Sequence, residues 1–324
     1  MRPNIAVNIG KLKLKNPVVV SSGTFGYAEE YKDFIDLKKL GAVVSKTITL
    51  KPREGNPPPR TCETPAGMLN SIGLENPGIE RFIKEKLPVL RKIGIPIIVS
   101  ISSEGNPEEF VVLARRLDKI NAVVALELNI SCPNIKSPVS QRPSAPVKNW
   151  GPGTGGWKPL LSQDPRATFD LVKAVRRATS KILIAKLSPN VTDIAEIAKA
   201  AEEAGSDALA LINTISGMSI DIETRKPKIA VVSGGLSGPA IRPVAVRMVW
   251  EVYQRAKIPI IGMGGIIDAA SALEFFIAGA TAISVGTANF INPKVSVEII
   301  DGIKKYLLKN NINNIEKLVG SLKG

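Results

Sequence analysis

Eight short runs of apolar, mostly β-branched residues punctuate the chain, and nearly every one is followed by a segment whose apolar positions recur at helical spacing. The runs are PVVVSS from Pro17, AVVSKTI from Ala42, IPIIVSI from Ile95, VVALELNI from Val123, ILIAKLS from Ile182, DALALIN from Asp207, IPIIGM from Ile258 and AISVG from Ala282. They are apolar almost throughout, as strands buried on both faces should be. Between them lie amphipathic stretches: YKDFIDLKKL, ERFIKEKLPVLRKI, PEEFVVLARRL, DPRATFDLVKAVRRA, DIAEIAKAAEEAG, RPVAVRMVWEVYQ and AASALEFFIAG. Asp164 with Pro165 predicts a helix start, and Gly205 and Gly279 predict helix ends. Strict alternation through eight strands predicts an α/β fold, a (β/α)8 TIM barrel.

Ahead of the first run, IAVNIGKLKLKNP alternates apolar and polar residues around Gly10, which predicts an N-terminal β-hairpin on the barrel's N-terminal face. Two long loops are predicted, over residues 49–78 after strand two and 131–164 after strand four. Both leave the C-terminal strand ends, where barrel sites are built. No linker or internal repeat divides the chain, so residues 1–324 are expected to form one domain.

Composition narrows the function. The chain has 324 residues, with 44% hydrophobic, 22% charged and 5% aromatic residues, and a net charge of +14. The basic residues are scattered and base-stacking aromatics are scarce, so nucleic acid is not the expected partner. Anionic small ligands suit the charge equally well. There is no His, and the only cysteines are Cys62 and Cys132. A zinc site or an iron–sulfur cluster held by this chain alone is therefore not expected, nor is a disulfide framework. No apolar run is long enough for a bilayer and the N-terminus lacks a signal-peptide core, so the expected location is cytoplasmic.

The candidate chemistry sits at the strand ends. GMGGI (strand seven), SVGTAN (strand eight) and SGGLSGPAI (after strand six) are glycine-rich turns suited to a phosphate, although each alone reads equally as a tight turn. Ser22, Lys46, Asn129, Lys186, Asn213 and Thr214 end other strands. A lysine ending an apolar strand is costly without an anionic or electron-rich partner, and Lys46 and Lys186 occupy matching places in the repeat. A flavin ring is one such partner. Cys132 follows strand four directly, within SCPN. A buried, inert thiol is the simpler reading; near lysines it could instead act as a base, since no His is available. Cys62, in a polar, proline-rich loop, is given no role.

The stretches NPVVVSSGTFG, SKTITLKPREGNPPPR, MLNSIGLENPG, ELNISCPN, AKLSPNVTDI, LINTISGM, GGLSGPAIRP, GMGGI and VGTANF together resemble the motif series of dihydroorotate dehydrogenase, most closely the class 1B catalytic subunit. The resemblance implies an FMN-containing barrel that oxidises dihydroorotate to orotate in pyrimidine (UMP) biosynthesis. By motif, Cys132 is then the base taking the C5 proton while hydride passes from C6 to flavin N5. Lys46 touches flavin and substrate, and Asn70, Ser71, Ile72, Gly73 and Leu74 form a substrate loop. Asn129, Asn134, Asn213 and Thr214 hold the orotate ring and carboxylate. Ser22, Thr47, Ser100, Asn129, Lys186 and Ile212 fall to the flavin ring, and Gly238, Gly264, Gly265, Gly286 and Thr287 to its ribityl and phosphate groups. The resemblance also implies a homodimer and a second subunit carrying FAD and an iron–sulfur cluster, in a heterotetramer that passes electrons to NAD.

Two departures stand out. Residues 135–163 are longer and richer in Pro and Gly than the family's usual lid, and Ser100 stands where the family often has Asn. Other readings remain open: an FMN barrel like the dihydropyrimidine dehydrogenase catalytic region, although Asn134 stands where that family usually has His; a tRNA dihydrouridine synthase, whose His residues and RNA-binding domain are missing; and a non-catalytic phosphate-binding barrel.

Overall fold

A computed structural model of the chain describes residues 3–103, 105–130 and 161–323. The eight predicted runs form Val18–Val20, Ala42–Val44, Ile97–Ile101, Val123–Asn129, Ile182–Lys186, Ala208–Leu211, Ile260–Met263 and Ala282–Val285. Each pairs in parallel with the next, and the eighth closes on the first through Ile283 opposite Val18 and Val285 opposite Val20. Nearly every residue of these strands is buried, because helices cover the outside while side chains fill the inside.

The helices begin where short polar side chains satisfy their free N–H groups. Asp164 accepts from the backbone N–H groups of Arg166 and Ala167 to start Pro165–Arg176, which buries Thr168, Leu171, Val172 and Val175 along one stripe. Asn106 and Asp193 cap Pro107–Asp118 and Ile194–Glu203 in the same way. Asp268 and Ser271 form a reciprocal capping box at the start of Ala269–Ala278. The predicted hairpin is present as Val7–Ile9 paired with Leu12–Leu14. Gly10 at its turn packs against Asp207, which precedes the sixth barrel strand, so the hairpin lies at the barrel's N-terminal face.

Four sequence expectations change. YKDFIDLKKL forms no continuous helix, only the single turns Glu29–Tyr31 and Leu37–Lys39. Asp36 turns its carboxylate onto the Lys38 N–H, and the Tyr31 ring stacks on Phe25 at 3.8 Å with its hydroxyl on the Thr24 carbonyl. These local bonds compete with helix continuation. Residues 49–78 are not an open loop. They contain the hairpin Thr61–Thr64 and Gly67–Asn70, which joins Gly234–Ser237 and Ile215–Gly217 in a four-stranded antiparallel sheet. Cys62 therefore lies on a strand, half-buried. ERFIKEKLPVLRKI is helical but carries a wide turn over Phe82–Lys86, just before Pro88, which brings no N–H to the helix ladder. Finally, a helix over Val295–Lys309 follows the eighth strand and buries Ile299, Ile300, Ile303 and Leu307; the repeat pattern did not anticipate it.

Candidate active site

A cavity of about 690 Å³ opens at the C-terminal ends of the barrel strands, walled on one side by the four-stranded sheet. Every strand-end residue singled out from the sequence and lying among the described residues faces it, save two. Ser22, Lys46, Thr47, Asn129, Lys186, Ile212, Asn213 and Thr214 line its floor; Asn70, Ile72, Gly73 and Leu74 its sheet side; Gly238, Gly264, Gly265, Gly286 and Thr287 its far end. Ser71 and Ser100 do not line it. Ser71 is fully buried and its hydroxyl turns to the Arg60 carbonyl. Ser100 sits behind Thr47. Cys132 and Asn134 lie outside the described residues.

The floor is one connected polar network. Thr47 Oγ1 lies 2.9 Å from Ser22 Oγ and 3.0 Å from Ser100 Oγ, and accepts from Asn129 Nδ2 at 3.0 Å. Asn213 Nδ2 reaches Asn129 Oδ1 at 3.4 Å. Behind them, Ser100 Oγ donates to Glu127 Oε1 at 2.9 Å, and Lys186 Nζ lies 3.6 Å from the same oxygen. Lys186 and Glu127 are 5% and 3% exposed, so each charge depends on the other. Lys46 is half-buried and, among the described residues, Nζ has no acidic partner.

The far end is built by close backbone approach. Gly265 has φ +73°, and a Cβ there would stand 2.8 Å from the Gly238 carbonyl oxygen and 2.7 Å from Arg242 Cβ. The loop after strand seven can touch the loop after strand six only because Gly265 carries no side chain, while at Gly238 a Cβ would stand 2.7 Å from Gly67 Cα of the neighbouring hairpin. Thr287 Oγ1 donates to Ser237 Oγ at 2.8 Å and ties the eighth strand's end to the sheet.

Residues 70–74 are held from outside the cavity. Asn56 Nδ2 donates to the Ser71 carbonyl, and the Asn56 N–H to the Ile72 carbonyl, at 2.9 and 3.0 Å. Asn76 Oδ1 accepts from the Thr49 and Gly78 N–H groups, while its Nδ2 donates to Thr49 Oγ1 and the Leu74 carbonyl. The sequence reading passed over both asparagines because they lie in a proline-rich stretch with no period. It also passed over Glu127, the one acidic residue inside an apolar strand, although the reasoning applied to Lys46 and Lys186 covers it equally. Tyr27 offers no proton acceptor: burial, then the charges of Glu30 and Glu75, push its hydroxyl well above the usual range. Among the described residues no group of three acidic, Cys or His side chains could hold a metal, and no helix is long and apolar enough to cross a membrane.

A closed parallel barrel with a glycine-rich cradle at strands six to eight, and with two lysines and three amides at its floor and sheet wall, has the make-up of a barrel that takes small anionic, polar ligands at its C-terminal mouth. The chain belongs to the dihydroorotate dehydrogenase family, whose model matches residues 4–146 and 151–307. It is 52% identical over 324 residues, covering 100% of both chains, to the dihydroorotate dehydrogenase B (NAD(+)) catalytic subunit of Trichlorobacter lovleyi. Proteins of the same description in Geotalea daltonii and Thermoanaerobacter pseudethanolicus are 51% and 50% identical, each over 99% of both chains. The family is flavin-dependent.

Proposed function

We propose that this chain oxidises (S)-dihydroorotate to orotate with bound FMN, the whole of residues 1–324 serving as one FMN-binding barrel unit. The observation that carries the reading is the convergence of the phosphate-type cradle and the lysine-and-amide floor on one cavity. FMN fits the residues present. Gly238, Gly264, Gly265, Gly286 and Thr287 suit its ribityl and phosphate groups; Ser22, Thr47, Lys186 and Ile212 suit its ring, with Ser100 acting through Thr47. Bound FMN supplies a two-electron acceptor for the hydride leaving C6.

The chain's own residues supply the rest. Asn70, Asn129, Asn213 and Thr214 offer paired donors and acceptors to the ring amides and carboxylate of a planar substrate, joined by Asn134, five residues after Asn129 in the sequence. Lys46 Nζ brings positive charge to the substrate carboxylate and the flavin edge. The loop over residues 70–74 covers the substrate and excludes water. Cys132, three residues beyond Asn129, takes the C5 proton. Replacing Cys132 with Ala is expected to leave flavin content unchanged and to slow flavin reduction by dihydroorotate at neutral pH at least about 100-fold, the ordinary contribution of a general base. Undiminished reduction would remove Cys132 from the chemistry.

The relatives' designation as catalytic subunits of an NAD(+) enzyme supports an electron-carrying partner. With no His and only two cysteines, this chain does not supply a cluster itself. A homodimer associating with an FAD/iron–sulfur subunit in the cytoplasm is the assembly we propose. Phe290 and Ile291, 55% and 79% exposed at the cavity rim, give that partner an apolar surface beside the flavin.

A further inference from the structure

We propose that Glu127 is a positioning residue that acts through Lys186, and thereby sets how strongly the cavity favours a reduced flavin. The inference rests on the flavin reading above. Glu127 does not line the cavity; it lies directly behind the wall, on the strand Val123–Asn129. Its neighbours in the barrel are opposite it by register, Ser100 on one side and the strand bearing Lys186 on the other.

Two observations meet at this carboxylate. First, it is the counter-charge of a buried lysine that does face the cavity, at 3.6 Å. A buried ammonium with such a partner is held in one place and its field is partly cancelled; without the partner it presents its full charge to whatever occupies the cavity. Second, the carboxylate fixes the direction of the hydroxyl chain in the floor. A carboxylate only accepts, so Ser100 must donate to it. The Ser100 oxygen then accepts from Thr47, which leaves Thr47 to accept from Ser22 and Asn129. One buried acid thus orients four polar side chains, three of them on the cavity floor.

A reduced flavin carries more negative charge than an oxidised one, so the field at Lys186 bears on its potential. Removing Glu127 while keeping Lys186 strengthens that field. A unit charge a few ångströms beyond Nζ, acting through a partly shielded interior, is worth about tenfold or more in the reduced-to-oxidised ratio. The test is dye-equilibrated reduction of the flavin in wild type, Glu127→Gln, Lys186→Met and the double variant, with flavin content and thermal melts recorded for each. At a fixed dye potential, the ratio of reduced to oxidised flavin is expected to rise at least tenfold in E127Q over wild type, and to differ little between the double variant and K186M, where the carboxylate has no ammonium to act through. If E127Q alone does not fold, Glu127→Asp, which keeps the charge but draws it back from Nζ, carries the test, with a rise in the same direction expected. An unchanged ratio in E127Q, or in E127D where E127Q does not fold, would overturn the proposal, since a merely structural glutamate alters the melt and leaves the potential alone; an equal rise in the double variant over K186M would overturn the route through Lys186. Wild-type protein that binds no flavin would instead overturn the underlying flavin reading.

Discussion

Asn76 holds the proposed substrate loop by four hydrogen bonds from a single buried amide, and its replacement by Ala should uncouple that loop from the barrel. Oδ1 accepts from the Thr49 N–H at 3.2 Å and the Gly78 N–H at 2.8 Å; Nδ2 donates to Thr49 Oγ1 at 2.8 Å and the Leu74 carbonyl at 2.7 Å. Asn76 is 5% exposed, so water cannot freely replace these partners. Two backbone donors left buried and unpaired cost about 1–3 kcal/mol each. The backbone pair between Asn76 and Arg53 remains and limits the damage, so a loss of about 3 kcal/mol is expected. Asn76→Asp keeps the acceptor for both N–H groups but turns a second carboxylate oxygen onto the Leu74 carbonyl and onto Thr49 Oγ1, which already donates to the Lys51 carbonyl, so it should also fall below wild type. Chemical unfolding followed by fluorescence gives the stability change. The KM for dihydroorotate gives the functional change, expected to rise about tenfold or more as about 1.4 kcal/mol or more of loop ordering is lost. Flavin content should not move, because the cradle is elsewhere. An Ala variant with wild-type stability and KM would refute the claim that this amide holds the loop.

Gly265→Ala places a methyl 2.8 Å from the Gly238 carbonyl oxygen at φ +73°, so FMN affinity should fall at least about tenfold and the melt should fall with it; flavin retention per folded chain on a desalting column, with circular dichroism to count folded protein, separates the two. Asp268 caps Ala269–Ala278, and its carboxyl is held below the ordinary value of 3.8 chiefly by the Ser271 hydroxyl and then by the Ser271 N–H. A lowered folded-state value means that this contribution is complete above about pH 3.8 and lost as pH falls through the lower folded value. Asp268→Ala should therefore cost about 1 kcal/mol at neutral pH, and the gap to wild type should narrow under acid conditions in a denaturant series run across pH.

The barrel was readable in the sequence because its strands are buried on both faces, so PVVV, IPIIVSI and ILIAK announce themselves without neighbours. The helix start at Asp164 was readable because capping is local; Asn106 and Asp268 cap within three residues in the same way but were not read from the sequence. The sheet beside the cavity was not. Its strands TCET, GMLN, ISG and GGLS have no apolar alternation, and their two pairs form one sheet only because residues about 165 apart meet, as Asn70 does with Gly235. The strand-end site residues could be placed because a barrel puts all such residues at one mouth. Residues 71 and 100 point elsewhere for reasons invisible to a motif: Ser71 serves the Arg60 carbonyl, and Ser100 is drawn back by Glu127. Glu127 itself was in plain view as a charge inside an apolar strand; its partner, 59 residues away on the next strand, was not.

The most direct measurement is anaerobic mixing of the purified chain with dihydroorotate while the flavin absorbance is followed. The account predicts yellow protein, about one FMN per chain released on denaturation, and bleaching of the visible band by dihydroorotate with stoichiometric appearance of orotate. Colourless protein, or a bound flavin that dihydroorotate leaves oxidised, would contradict it.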